Sequence, residues 1–168
     1  MKTFIFFAVL IATGCCLEGM DNFEVESYLG LWYEIAHIPQ WYELGRVCSQ
    51  FNYSLNADGS VRSVNAYKSK TTDEKFSIME QEVTKKDKPY KLLLKLPDLD
   101  FSEEFWILKT DYKTYSVAVI PDVTSLWFFA RTPTINETLY TSLVDFAKSK
   151  NLPVEKLENS TQTCGAFL

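Results

Sequence analysis

The stretch that decides the fold is GLWYEIAHIP, Gly30 to Pro39. A glycine opens it, where a chain can turn tightly from coil into strand. Trp32 follows two residues later and is large enough to plug one end of whatever the strand encloses. The run through Ile35, Ala36 and Ile38 reads as a first strand, and Pro39 closes it. What the strand encloses depends on the segments downstream.

Short strand-like runs dominate those segments. SQFNYSL (49–55) and SVRSVNAYK (60–68) both alternate, with the Asp-Gly turn of NADGS (56–60) between them. FSIMEQEV (76–83), YKLLLKL (90–96), FWILKT (105–110), TYSVAVI (114–120) and SLWFFART (125–132) follow at close spacing. With the opening stretch they make eight strands, the pattern of an antiparallel meander in a sandwich or a barrel. One segment differs. TINETLYTSLVDFAKSK (134–150) sets Ile135, Leu139, Leu143 and Phe146 at helical spacing, and Thr134 with Glu137 has the spacing of a capping box. LPVEKLE (152–158) reads as a short edge strand. The predicted fold is all-β: an eight-stranded antiparallel up-and-down β-barrel with one C-terminal α-helix packed on the outside.

A barrel of eight strands leaves an interior just wide enough for side chains or one small ligand. That interior accounts for an aromatic content of 15%. Alternation sorts the strands: with Asn52 facing outward, Phe51, Tyr53 and Leu55 point inward. Val61, Ser63, Asn65 and Tyr67 share a face, as do Leu92, Leu94 and Leu96, with Lys91 and Lys95 outside. Trp127, Phe129 and Arg131 share another, so Arg131 is expected to stack on the Trp32 indole and cap carbonyls where the first strand starts.

The 168 residues suit one domain, and the hydrophobic fraction of 46% suits a packed core. A net charge of −5 without a basic block argues against nucleic acid or an anionic membrane surface as partner. MKTFIFFAVLIATGCC reads as a secretory signal peptide, too short to span a bilayer, cut between Gly14 and Gly19. The alternative is a lipoprotein signal with Cys15 lipidated. The expected division is residues 1–19 as signal and 20–168 as one domain, which leaves the net charge unchanged because one lysine and one glutamate depart. If Cys15 and Cys16 leave with the signal, Cys48 and Cys164 remain as a pair in an oxidising compartment. A catalytic thiol at Cys48 is the other reading, and no second histidine stands beside His37 to support it. Asn52, Asn136 and Asn159 head sequons and are candidate glycan sites.

The chain resembles the lipocalins on three motifs in order. Gly30-Leu-Trp32 matches their Gly-x-Trp, Thr110-Asp111-Tyr112 their turn at the closed end, and Arg131 their third motif. The phrases YLGLWYEIAHIP, NYSLNADGSV and ARTPTI point to the branch of apolipoprotein D, bilin-binding and bacterial lipocalins, which also shares a disulfide matching Cys48–Cys164. A second disulfide found in several members of that branch has no counterpart in TYSVAVI.

The resemblance implies a calyx closed at Trp32 and open at the other end, carrying a small hydrophobic ligand (lipid, fatty acid, retinoid, steroid or tetrapyrrole) outside the cell without chemistry. Positions similar to Trp127, Tyr33 and Tyr53 line the pocket in that branch. Asn65 is expected to supply a polar contact, with Phe129, Leu94 and Met79 as wall and Trp41 and Tyr42 as a lid over the entrance. Trp32, Arg131 and Asp111 are expected to hold structure, Asp111 by bonding backbone N–H groups of its turn. His37 reads as a surface loop histidine rather than a metal or haem ligand, and no cofactor is expected. Two other functions stay open: a lipid-modifying enzyme on the same barrel, and a module that binds a cell-surface receptor, other protein or lipid particle, as monomer or weak dimer.

Overall fold

The computed structural model describes residues 17–70, 76–85, 87–96, 101–121 and 125–168. The signal segment and Cys15 and Cys16 lie outside them. A short helix α1 (Val25–Tyr28) precedes eight long strands: β1 (Gly30–His37), β2 (Arg46–Leu55), β3 (Val61–Ser69), β4 (Phe76–Lys85), β5 (Lys91–Leu96), β6 (Phe101–Thr110), β7 (Tyr115–Ile120) and β8 (Ser125–Ala130). Helix α2 (Glu137–Ser149) and a two-residue strand β9 (Glu158–Asn159) follow. From β1 to β8 each strand pairs antiparallel with the next, and β1 also pairs with β8, so the ring closes; β9 adds to β1.

Alternation on β8 divides the core in two. Trp127 and Phe129 point into the barrel, with Trp32, Tyr53, Val61, Leu92 and Phe105. Leu126, Phe128 and Ala130 point outward, where Leu143 and Ala147 of α2 cover them. Every residue of β8 is therefore buried, although the barrel has only one layer of sheet.

Several boundaries depart from expectation, each for a local reason. β2 starts at Arg46 rather than Ser49, because a bulge between Val47 and Gln50, with Cys48 at φ +59°, interrupts the alternation. β6 starts at Phe101, since the polar run Ser102-Glu103-Glu104 hides its strand character. Helix α2 starts after Asn136, not Thr134: Asn136 Oδ1 accepts from Leu139 N at 2.8 Å and is the cap. The expected edge strand over 152–158 is a 3₁₀ turn, Val154–Lys156, followed by β9. Leu55, expected inside, is 49% exposed, because β2 there runs past the closed end into its turn.

The closed end is built as expected. Gly30 sits at φ +94°, and a Cβ on it would meet Arg131 Nη1 at 3.3 Å. Arg131 lies 3.6 Å over the Trp32 ring. Its guanidinium donates to the carbonyls of Tyr28, Leu29, Leu31 and Tyr112. Asp111 Oδ1 accepts from the backbone N–H groups of Lys113, Thr114 and Tyr115, which folds the β6–β7 turn around one carboxylate. Its carboxyl also accepts from the Thr114 hydroxyl. Leu17 packs on the outer core, Met20 N donates to Ile107 O at 3.1 Å, and Gly19 lies so close to Tyr90 that a Cβ would fall 2.3 Å from its ring.

The barrel is closed differently at the opposite end. β1 pairs with β2 only over Gly30–Tyr33, and above that the two strands part. The C-terminal segment fills the seam. Ser160 N donates to Ile35 O, and Gln162 Nε2 bridges Glu34 O and Ser49 O at 2.9 and 2.8 Å. Cys48 N donates to Thr161 O, and Gln50 bonds Gly165 O and Phe167 N. The Cys48–Cys164 disulfide pins this tail to β2.

Candidate ligand-binding site

Inside the barrel the side chains form tiers. At the floor, Trp32 stacks on Tyr28 with centroids 4.7 Å apart, and its Nε1 donates to Tyr28 O. Tyr53 meets Tyr28 edge-on, and Tyr28 donates to Ser116 Oγ. Burial pushes both phenols above the ordinary tyrosine range, so they stay neutral donors. Above them Phe51 meets Phe129 edge-on at 5.0 Å, and Phe105 lies between Phe129 and Trp127. Leu94 completes the apolar wall.

Polar groups punctuate that wall. Ser63 Oγ, Asn65 Oδ1, Ser125 Oγ and Trp127 Nε1 are all buried with no direct hydrogen-bond partner. An unpaired buried polar atom costs roughly 1–3 kcal/mol, so each of these groups calls for a partner from outside the chain, water or ligand. An apolar cavity with a few convergent polar atoms is the usual make-up of a small-molecule site.

The mouth carries a titratable cluster. Glu43 lies in the 3₁₀ turn Trp41–Glu43 between β1 and β2, yet it is only 9% exposed and its Oε2 has no hydrogen-bond partner. Burial, with the Glu34 carboxylate beside it, raises its carboxyl to about 7, against the pull of His37, Arg46 and the Trp127 indole. Glu34 Oε1 accepts from the Ser160 hydroxyl at 2.5 Å and lies 3.1 Å from His37 Nδ1. Burial lowers the His37 imidazole, but the bond to Glu34, with Glu43 and Glu158 beyond, more than offsets it and raises the group.

Of the expected ligand contacts, Trp127, Tyr53, Phe129 and Leu94 belong to the one inner core, and Asn65 is buried on the same inward face of β3 as Val61. Tyr33 does not join them. It follows Trp32, so alternation turns it outward into the core beneath α2. Met79 pairs with Asn65 in the sheet, but its side chain, like that of Tyr42, lies outside the described ones. Trp41 is 82% exposed, whereas Glu43 of the same turn is buried. His37 is not a loop residue but the last of β1, held by Glu34 and Ser160. Asn52 is half-buried on β2, and Asn136 and Asn159 are exposed. Glu43 and Phe105 were not singled out in the sequence. The hint of Glu43 in the sequence is a carboxylate set between Tyr42 and Leu44.

Residues 23–162 match a family model described as a lipocalin-like domain. Apolipoprotein D of Bos taurus is 36% identical over 152 residues, which is 84% of this chain and 78% of that protein. Temperature-induced lipocalin-1 of Arabidopsis thaliana is 28% identical over 156 residues, 88% of this chain and 83% of that protein. Insecticyanin from the tobacco hornworm Manduca sexta shares the fold with a TM-score of 0.73 at 17% identity, over 90% of this chain and 87% of that one.

Proposed function

The chain belongs to the lipocalin family, whose members bind small hydrophobic molecules, and from that premise we propose that it is a secreted carrier. It holds one small hydrophobic ligand against Trp127, Phe129, Phe105, Tyr53 and Leu94 and does no chemistry on it. The observation that carries this reading is the inner wall itself: aromatic and aliphatic side chains interrupted by the unpartnered Asn65 Oδ1 and Trp127 Nε1. Apolar burial at about 25 cal/mol per Å² supplies the affinity, and the few polar atoms supply orientation. Both described cysteines are joined, so Cys48 has no thiolate to attack a ligand.

Secretion rests on the N-terminal apolar run and on the disulfide, which persists in oxidising compartments. The packing of Leu17 and Gly19 on the barrel favours a cut before Leu17, at the early side of the expected window. Trp41 and Leu44, both exposed beside the mouth, support loading and delivery at a lipid particle.

A fluorescence titration of the mature protein with retinol, a long-chain fatty acid, a steroid and biliverdin tests the carrier. Saturable quenching is expected, and Trp127→Ala should weaken it about tenfold or more through lost aromatic contact. Equal affinity in the variant would remove Trp127 from the site. Failure of every titrant would remove the carrier reading.

A further inference from the structure

We infer that the mouth of the barrel is built to receive the hydroxyl head of an apolar alcohol, bound between the Glu43 carboxylate and the Trp127 indole N–H. The inference rests on the carrier reading above and adds the chemical class of the ligand's polar end.

The argument starts from two buried atoms that lack partners. Trp127 is 4% exposed, and its Nε1 can only donate. Glu43 is 9% exposed, and its Oε2, when ionised, can only accept. The Trp127 indole lies near enough to the Glu43 carboxylate to interact through its N–H and favour the ionised form, but no hydrogen bond of normal geometry joins the two atoms. A group placed against both must accept one hydrogen bond and donate another. A hydroxyl does both from one oxygen. An ether or ketone accepts from the indole but leaves the carboxylate unpaired. An ammonium donates to the carboxylate but leaves the indole unpaired, and it would share the mouth with Arg46. A carboxylate accepts from the indole but meets Glu43 and Glu34 as like charges.

The charges that face Glu43 come from each neighbouring element. Glu34 and His37 stand on β1, and Arg46 on β2, with its guanidinium 4.0 Å over Tyr67. Glu158, beside His37, belongs to β9. Glu34 Oε1 is engaged by Ser160 and His37, and among the described residues the buried carboxylate oxygen without a partner is Glu43 Oε2. A carboxyl raised to about 7 is mostly ionised at pH 8 and mostly neutral at pH 6. An acid-headed ligand should therefore be disfavoured at pH 8 and gain affinity as the pH falls, while an alcohol should change less.

The experiment compares four probes of one chain length on the disulfide-intact protein: dodecanol, dodecyl methyl ether, dodecanoate and dodecylamine. Binding is followed by tryptophan fluorescence and by calorimetry at pH 6 and pH 8. Dodecanol is expected to bind at least about tenfold more tightly than the ether at pH 8, the value of a hydrogen bond to a charged group. Dodecanoate should bind more weakly than dodecanol at pH 8 and recover at pH 6. In Glu43→Leu the advantage of alcohol over ether should collapse and the acid should keep only the smaller pH dependence that His37 imposes. Equal affinity for alcohol and ether in the unaltered protein, or tightest binding of dodecanoate or dodecylamine at pH 8, would overturn the inference and leave the carrier standing. Binding of none of the four would overturn both.

Discussion

Arg131 joins more of the closed end than any neighbouring side chain. It is half-buried, stacks on Trp32 and satisfies four carbonyls, three of them where α1 hands over to β1. Arg131→Met keeps most of the packing volume but strands those carbonyls. The expected loss is about 3 kcal/mol, read as a fall in the urea midpoint. An unchanged midpoint would show that water replaces the guanidinium without cost. Glu43 makes a prediction of the other kind. Its folded carboxyl titrates near 7 against an ordinary value of 4.5. Between those values the folded protein holds a proton that the unfolded chain has released, so stability falls as pH rises through that window. The whole effect is at most roughly 3 kcal/mol. His37 adds to the same slope, because a raised imidazole stabilises most below its unfolded value and less as pH rises through its folded one. Glu43→Gln should flatten the melting temperature between pH 5 and 7 and leave the His37 part above it.

At the scale of elements, helix α2 and the C-terminal tail make opposite lessons. The helix was visible from its period, because Leu139, Leu143 and Phe146 lie on one stripe. Its start was not, because both Thr134 and Asn136 are good caps and only the backbone path chooses. Asn136→Ala should cost about 1 kcal/mol and Thr134→Ala much less, as thermal melts of the two variants would show. The tail carries no periodic pattern, yet it closes the seam between β1 and β2. Cutting its tether in Cys48→Ser with Cys164→Ser frees a loop of 116 residues of sequence separation. The chain-entropy cost is about 4–5 kcal/mol. Amide exchange should rise first at Cys48, Ser160 and Phe167, whose N–H groups donate across the seam, and a rise spread evenly over the barrel would contradict this placement.

At the scale of the molecule, the closed ring gives the inner and outer cores different tasks. The outer core under α2 is apolar and packed, while the inner one mixes aromatics with unpaired polar atoms. A ligand that binds only the folded barrel raises its stability by mass action, about 2.7 kcal/mol at a hundredfold excess over Kd. The melting temperature should therefore climb with the concentration of a bound probe, and Trp127→Ala should blunt the climb.

The amino-acid sequence by itself determined what local pattern and spacing can carry. Period-two alternation named the strands, and a shared face put Trp127 and Phe129 together with Arg131 pointing to Trp32. Gly30, Thr110 to Tyr112 and Arg131 carried the likeness to the lipocalins. Tertiary structure alone decided what depends on contacts far apart in the chain. Alternation from Trp32 turns Tyr33 outward, and only the packing of α2 on that side of β1 makes the outward face a core. Glu43 became buried because β1 and β2 part above Tyr33 and the turn between them folds over Trp127. The partner of each seam residue is over 100 positions away, as for Glu34 with Ser160 and Gln50 with Gly165, and no local pattern encodes such a pairing. Burial and charge state are set by those distant neighbours, which is why the inner core of the barrel was legible in the sequence and the cluster around Glu43 was not.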